Sequence, residues 1–317
     1  MHQNVSIFGL TFDINPVAFT IPGINWDVYW YGVIIATGFI LALVYGFKNA
    51  KRLGIDADKM IDVVLVAAPV AIICARLYYV LFDGEKLTSI KDIFNFSGGG
   101  FQGLAIYGAV IGALASGFLM CIIRKVNVLD MFDLAAVGFL IGQGIGRWGN
   151  FMNQEAFGAN TSLPWGMYSD TIHNYLLANR AELSAAGISV DPAMAVHPCF
   201  LYEFLWCALG VLLLHIFLRR RRFKGQIILS YGVWYGLGRF FIEGLRLDSL
   251  MLGSSIRVSQ LLSGLAVVAC LMALVFLFLK SRKNAAEEEY VPVFGKEEAE
   301  ESFGEEEEMN LEEKHDR

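Results

Sequence analysis

The chain has 317 residues, of which 56% are hydrophobic and only 18% charged. With a mean hydropathy of +0.50, this excludes an ordinary soluble domain and points to a polytopic membrane protein. The formal net charge of -6 misleads, because residues 287–317 hold fourteen acidic and three basic residues; the chain before them is net basic, at +5. Those basic residues sit in short clusters between apolar runs, as in membrane proteins, and no nucleic-acid surface is implied. The five cysteines (Cys74, Cys121, Cys199, Cys207, Cys270) fall in or beside apolar segments without Cys-x-x-Cys spacing. They read as small buried hydrophobes rather than a disulfide framework or a metal site.

Residues 1–27, with Pro16 and Pro22, form a short structured lead-in at the membrane interface. The first basic residue, Lys48, follows the first apolar run, so no cleavable signal peptide is expected. Seven spans of about 20 residues follow, each long enough to cross the hydrocarbon. They run from about Tyr29 to Phe47, Ile61 to Phe82, Leu104 to Ile123, Met131 to Trp148, Cys199 to Leu218, Gln226 to Ile242 and Val258 to Leu279. Asp130 is the expected N-cap of the fourth.

Basic residues follow the odd-numbered spans: Lys48, Lys51, Arg52 and Lys59; Arg124 and Lys125; Arg219 to Arg222 with Lys224; and Lys280, Arg282 and Lys283. By the positive-inside rule these connections are cytoplasmic, which puts the N-terminus outside and the C-terminus inside. The long connection, about 151–196, is then an extracytoplasmic head with a helix near Thr171 to Ala186; a loop of that length is usually functional or a small subdomain. The Glu-rich segment from Glu287 is expected to be disordered and solvated. The fold class is therefore all-α and polytopic: seven transmembrane helices, a small extracytoplasmic head and an acidic tail.

Chemistry concentrates in a few places. At the end of span four, Gly146-Arg147-Trp148-Gly149-Asn150-Phe151-Met152-Asn153-Gln154-Glu155-Ala156-Phe157-Gly158 puts an arginine, two asparagines and a glutamate in a glycine-punctuated turn. Arg147 could simply snorkel to headgroups. Its guanidinium is equally suited to bidentate capture of a phosphate or carboxylate. His197-Pro198-Cys199-Phe200-Leu201-Tyr202-Glu203 opens span five. Glu203 there lies in an apolar helix, where a carboxylate needs a partner, with an arginine of another span the obvious one. In span six, Tyr235, Arg239, Glu243 and Arg246 share one helical stripe, either an ion-pair ladder or a lining of the bundle interior.

Two further spans carry polar or aromatic groups. Trp30-Tyr31-Gly32 opens span one, and Arg76 lies well inside span two. A glycine-rich hairpin, Gly98 to Gly103, precedes Ala105-Ile106-Tyr107-Gly108. Together the arginines of spans two, four and six indicate an anionic, phosphate-bearing ligand at the outer leaflet, of which an anionic phospholipid is the most available. No metal-binding spacing and no Gly-x-Ser-x-Gly elbow appears. A transporter or flippase for an anionic lipid or solute, and a scaffold with closed ion pairs, are the competing readings; the lack of an internal repeat weighs against transport.

The Gly146–Gly158 stretch resembles the signature of the prolipoprotein diacylglyceryl transferase family. His197-Pro198-x-x-Leu201-Tyr202-Glu203 and Arg239-Phe240-x-x-Glu243-x-x-Arg246 resemble two more of its segments. Trp30-Tyr31-Gly32 and Ala75-Arg76-Leu77 match its first two spans. The resemblance implies a bacterial plasma-membrane enzyme, with residues 1–284 as the transferase domain; the tail at 285–317, cytoplasmic by the basic-cluster pattern, is not carried over from the family. It would move the diacylglyceryl group of phosphatidylglycerol onto the lipobox cysteine of prolipoprotein signal peptides, within the bilayer and without a cofactor. Carried over by position are Tyr31, Arg147, Asn150, Glu155, Gly158, Glu203, Tyr235, Arg239 and Glu243. With Arg76, Tyr107 and Arg246 added from this chain's own pattern, the catalytic set is Arg147, Arg239, Glu155, Glu203, Glu243 and Tyr107. The lipid-binding set is Arg147, Asn150, Tyr31, Tyr235, Arg76, Gly158 and Arg246. One position departs: Tyr107 stands where many members have a histidine. A tyrosine, with an ordinary pKa of ~10 against ~6.5, is a poor resting base, which leaves the identity of the general base open.

Overall fold

The structure, a computed structural model, describes residues 3–23, 25–82, 105–185, 187–247, 251–252 and 256–285. The Gly98–Gly103 hairpin and the acidic tail lie outside the described residues.

Four long apolar helices come first after a strand-rich start: α1 (Trp30–Ala50), α2 (Ala57–Phe82), α3 (Ile106–Ile123) and α4 (Val128–Asn153). Two short helices follow, α5 (Asp170–Ala178) and α6 (Arg180–Ala185). Three long ones close the described chain: α7 (Cys199–Arg219), α8 (Gln226–Glu243) and α9 (Val258–Ala285). The stretch expected as one helix from Thr171 to Ala186 is thus two, divided at Asn179. Six helices, α1, α2, α3, α4, α7 and α9, are long and apolar enough to cross a membrane. The polar stripe of α8 keeps it out of that group. It packs instead against α4, α7 and α9, while α1 packs on α4 and α2 on α3.

The chain is mostly helical but not all-α. The lead-in folds into strands β1 (Gln3–Ile7), β2 (Leu10–Ile14), β3 (Val17–Ile21) and β4 (Trp26–Tyr29). β1 pairs antiparallel with β2 on one side and with β5 (Met167–Ser169) on the other. Residues 3–14 therefore belong to the same unit as the long connection. Its core joins Val5, Ile7 and Ile14 to Met167, Ile172, Leu176, Val196, Phe200 and Leu247. Strands of four or five residues with mixed polarity give little period-two signal, which is why the sequence showed only a lead-in. A two-residue pair, β6 (Met251–Leu252) and β7 (Ile256–Arg257), links α8 to α9.

Far along α4 from the signature, buried charge fixes the helices. Asn127, not Asp130, caps α4, accepting from the backbone N–H groups of Leu129 and Asp130. Asp130 instead pairs with Arg221 and Lys224, each at 2.8 Å. Asp133, fully buried, accepts from Arg221 and from the backbone N–H groups of Gly225, Ile227 and Ile228, each at 2.9 Å. A carboxylate on one helix thus serves the orphan N–H groups and positive dipole end of another. Part of the basic cluster that marks the 219–224 connection is therefore a buried structural clamp.

A second clamp joins α7 to α8. The indoles of Trp206 and Trp234 stack at 4.4 Å and 14°. Each indole N–H donates to the other residue's backbone carbonyl, at 2.9 and 3.0 Å. Trp206 lies over Gly238 and Trp234 over Gly210; a β-carbon at either glycine would come within 2.3 or 2.4 Å of the facing indole nitrogen. Only glycine permits that approach.

Candidate active site

The turn that ends α4 is held in an unusual backbone path. Gln154 and Ala156, neither a glycine, both adopt left-handed conformations with φ of 55° and 56°, which ordinarily costs about 1–2 kcal/mol per residue. They bracket Glu155 and turn it back along the helix. Asn150 donates to a Glu155 carboxylate oxygen at 2.8 Å and Asn153 to the same oxygen at 3.4 Å. The side chain of Gln154 meets Gln3 of β1, tying the turn to the sheet. Gly158 pairs its N–H with the His197 carbonyl at 2.9 Å and bridges Arg246. A β-carbon there would lie 2.8 Å from the His197 β-carbon and 3.0 Å from the Leu245 carbonyl.

These constraints bring four side chains from three helices into one buried cluster. Glu203 of α7 is 4% exposed. One of its oxygens lies 2.7 Å from Arg147 of α4, the other 3.2 Å from Arg239 of α8. Arg239 also pairs with Glu243 one turn along its own helix, at 2.7 Å, and Arg147 donates to Asn150 at 3.3 Å. The partner expected for Glu203 is therefore two arginines. The span-six stripe is both readings at once: an i, i+4 ion pair that faces the bundle interior. Each guanidinium keeps further N–H groups beyond these contacts.

The remaining predicted residues divide in two. Tyr235 feels the charges of Arg147, Glu203 and Arg239. Tyr31 feels those of Glu155 and Arg147, its ring resting on Gly149. Arg246 lies near enough to Arg147 for the two charges to interact. Arg76 and Tyr107, by contrast, belong to the α2–α3 pair. The Arg76 guanidinium sits 5.5 Å from the Tyr79 ring, and Tyr107 lies beside Tyr78, half exposed.

At the entry to α7, Trp165 donates to the Tyr202 hydroxyl at 2.8 Å, and that hydroxyl lies 3.0 Å from His197 Nδ1. Burial lowers the His197 pKa below its ordinary value, favouring a neutral ring. The end of α8 is held by Arg257, which donates to the Glu243 carbonyl at 2.7 Å, and by Gln260, which donates to the Phe240 carbonyl at 2.9 Å. Sequence reasoning passed over this C-terminal cap and over both inter-helix clamps. Among the described residues, no group of three His, Cys, Asp or Glu side chains is placed to hold a metal ion.

A helical bundle with a buried two-arginine, two-carboxylate cluster where a small mixed head joins it defines a polytopic membrane protein with a polar site among its helices. The chain belongs to the prolipoprotein diacylglyceryl transferase family, whose model matches residues 16–276. It is 41% identical over 273 residues to the phosphatidylglycerol–prolipoprotein diacylglyceryl transferase of Clostridioides difficile strain 630, covering 86% of this chain and 99% of that protein. It is 43% identical over 266 residues to the enzyme of that name from Pediococcus pentosaceus, covering 83% and 90%. With the Bacillus velezensis enzyme of that name the identity is 37% over 278 residues, covering 87% and 96%.

Proposed function

We propose that this protein transfers the diacylglyceryl group of phosphatidylglycerol to the lipobox cysteine thiol of prolipoproteins, forming a thioether and releasing glycerol phosphate. The observation that carries this reading is Glu203 bridging Arg147 and Arg239, in a chain whose family and relatives bear that activity by name. A carboxylate between two guanidiniums holds both forks in fixed orientation, ready for a phosphate.

The thiolate attacks the glycerol carbon that bears the phosphate ester. The carbon–sulfur bond forms as the carbon–oxygen bond breaks, and glycerol phosphate leaves with the bonding pair. Arg147 and Arg239 bind the phosphate and match the charge that grows on it; Glu203 and Glu243 orient them. Glu155, which accepts from Asn150 and Asn153 in the turn rather than from an arginine of the cluster, takes the thiol proton in this reading. Cationic groups nearby lower a thiol's pKa and favour the thiolate. Tyr31, Tyr235, Asn150 and Arg246 line the lipid's polar end, and Gly158 keeps the turn close to the end of α8. Arg76 and Tyr107, on the α2–α3 pair, add further contacts to the lipid.

The membrane is the bacterial plasma membrane. In this reading α8 is the seventh span, its charges turned inward among α4, α7 and α9; the head, about 151–196, is extracytoplasmic. Residues 285–317 form a cytoplasmic tail that transfer does not require. The test is transfer from labelled phosphatidylglycerol to a lipobox peptide by purified wild type and Arg147→Ala. Thioether-linked lipid from the first and none from the second is expected. No transfer by folded wild type would overturn the assignment and favour a transporter or lipid-binding protein.

A further inference from the structure

One turn below Arg147 on α4 stands Gln143, and one turn below Tyr235 on α8 stands Tyr231. The Gln143 amide donates to the Tyr231 hydroxyl at 2.9 Å. That leaves the Gln143 carbonyl oxygen buried with no hydrogen-bond partner among the described residues. The Tyr231 hydroxyl, having accepted the amide, keeps its own proton to give. Its ring is fixed, parallel to Tyr235 at 5.6 Å and tilted against Phe139 at 6.0 Å. A buried acceptor and a hydroxyl donor thus stand side by side in the apolar middle of the bundle. Buried polar atoms are nearly always paired, so an orphan here calls for an explanation.

We propose that Gln143 and Tyr231 read the glycerol headgroup of the lipid substrate, an inference that rests on the transferase reading above. Four residues of helix rise about 6 Å, a reach that a three-carbon alcohol esterified to a phosphate at Arg147 covers. The headgroup glycerol carries two adjacent hydroxyls. One donates to Gln143 Oε1 and the other accepts from Tyr231. Turned over, the amide would offer N–H in place of C=O, and a hydroxyl satisfies either. An ammonium headgroup would find no carboxylate in this pair, and an alkyl headgroup would leave both polar atoms buried and unpaired. Sites built to bond a substrate hydroxyl reject analogues that lack it far more strongly than apolar pockets reject a change of size.

The test compares phosphatidylglycerol with phosphatidylpropanol, which has the same phosphodiester and acyl chains but no headgroup hydroxyls. Transfer to a lipobox peptide is measured with the purified full-length protein. Wild type is expected to prefer phosphatidylglycerol by about a hundredfold or more in kcat/KM. Gln143→Leu is expected to lower the phosphatidylglycerol value about ten- to hundredfold, so that the ratio of the two lipids falls toward one. Tyr231→Phe, which removes a single oxygen, is expected to shift the ratio in the same direction and carries the test if Gln143→Leu does not fold. Equal use of both lipids by wild type would overturn the inference. So would variants that slow both lipids alike and keep the ratio, the result of a merely structural or water-filled pair. Transfer from neither lipid by folded wild type would sink the transferase reading and this inference with it.

Discussion

Replacing Glu203 by glutamine removes one charge and changes almost no volume, so it isolates what the carboxylate does. Its two oxygens face two arginines, at 2.7 and 3.2 Å, with only 4% of the residue exposed. At an effective dielectric of about 20, a pair of unit charges ~4 Å apart interacts by ~4 kcal/mol. Glutamine forfeits two such attractions and leaves two guanidiniums facing each other. Breaking a buried pair from one side costs about 3–5 kcal/mol after relaxation, and that is the expected loss of stability. Thermal unfolding in detergent should show it as a clear fall in Tm. The effect on transfer is separate. The arginines keep their charge but lose the group that aims them, and losing one aligned donor to a developing anion typically costs about a hundred- to a thousandfold. We expect kcat/KM for phosphatidylglycerol to fall at least about a hundredfold at temperatures where the variant is folded. A Glu203→Gln protein that transfers lipid within about threefold of wild type would refute the alignment argument, because a mis-set phosphate site cannot lose so little.

Other perturbations probe the frame around the cluster. Arg239→Lys keeps the charge but loses the fork that reaches Glu203 and Glu243 together; transfer should drop at least about tenfold, and unchanged kinetics would remove Arg239 from the phosphate site. Gly158→Ala puts a β-carbon 2.8 Å from the His197 β-carbon and 3.0 Å from the Leu245 carbonyl oxygen, so the backbone of the turn must shift away from them; retention of wild-type Tm and activity would contradict the tight packing. Asp133→Asn leaves Arg221 with a weakened buried partner and should destabilise by about 3–5 kcal/mol, read by thermal unfolding. For His197, whose pKa burial lowers, the folded and unfolded chains are both neutral at high pH. As pH falls the unfolded chain takes up the proton first, so stability declines below about pH 6.5. His197→Gln should flatten that decline, and parallel Tm-against-pH curves for the two proteins would dismiss it.

Much of the helical frame could be read in advance because each long apolar run exceeds what a soluble helix needs, and its ends are marked by Gly, Pro or basic clusters. α8 reads as one more apolar run, and the helix is there, but Arg239, Glu243 and its other polar residues leave it outside the six helices apolar enough to cross. The spacing of Tyr235, Arg239 and Glu243 on one stripe is what showed which face carries the charge. The pairing of Glu203 with an arginine of another helix followed from the cost of a lone carboxylate in an apolar segment. That it would take two arginines did not follow, because the convergence of α4, α7 and α8 is a tertiary fact. Asp133 was invisible for the same reason. Its partners lie 88 to 95 residues away, and nothing local separates it from a surface aspartate. The tryptophan clamp left a trace that could have been found: Trp-x-x-x-Gly recurs at Trp206–Gly210 and Trp234–Gly238, one copy on each of two consecutive helices. The strands of the head left none, being too short to show alternation.

That recurrence bears on how the protein is made. On the seven-span reading, α8 must enter the bilayer carrying Arg239 and Glu243, each costly at membrane depth, and its own composition does not drive it there. α7 is apolar enough to insert by itself. Joined to it by the short 220–225 connection, α8 can follow as the second arm of a helical hairpin, its indole keyed over Gly210 while Trp206 is keyed over Gly238 and its charges meet Glu203 before they meet lipid. On that reading the stacked tryptophans would hold the two arms together as they insert. Trp206→Ala should therefore reduce the amount of correctly threaded protein in the membrane more than it reduces the turnover of the molecules that thread.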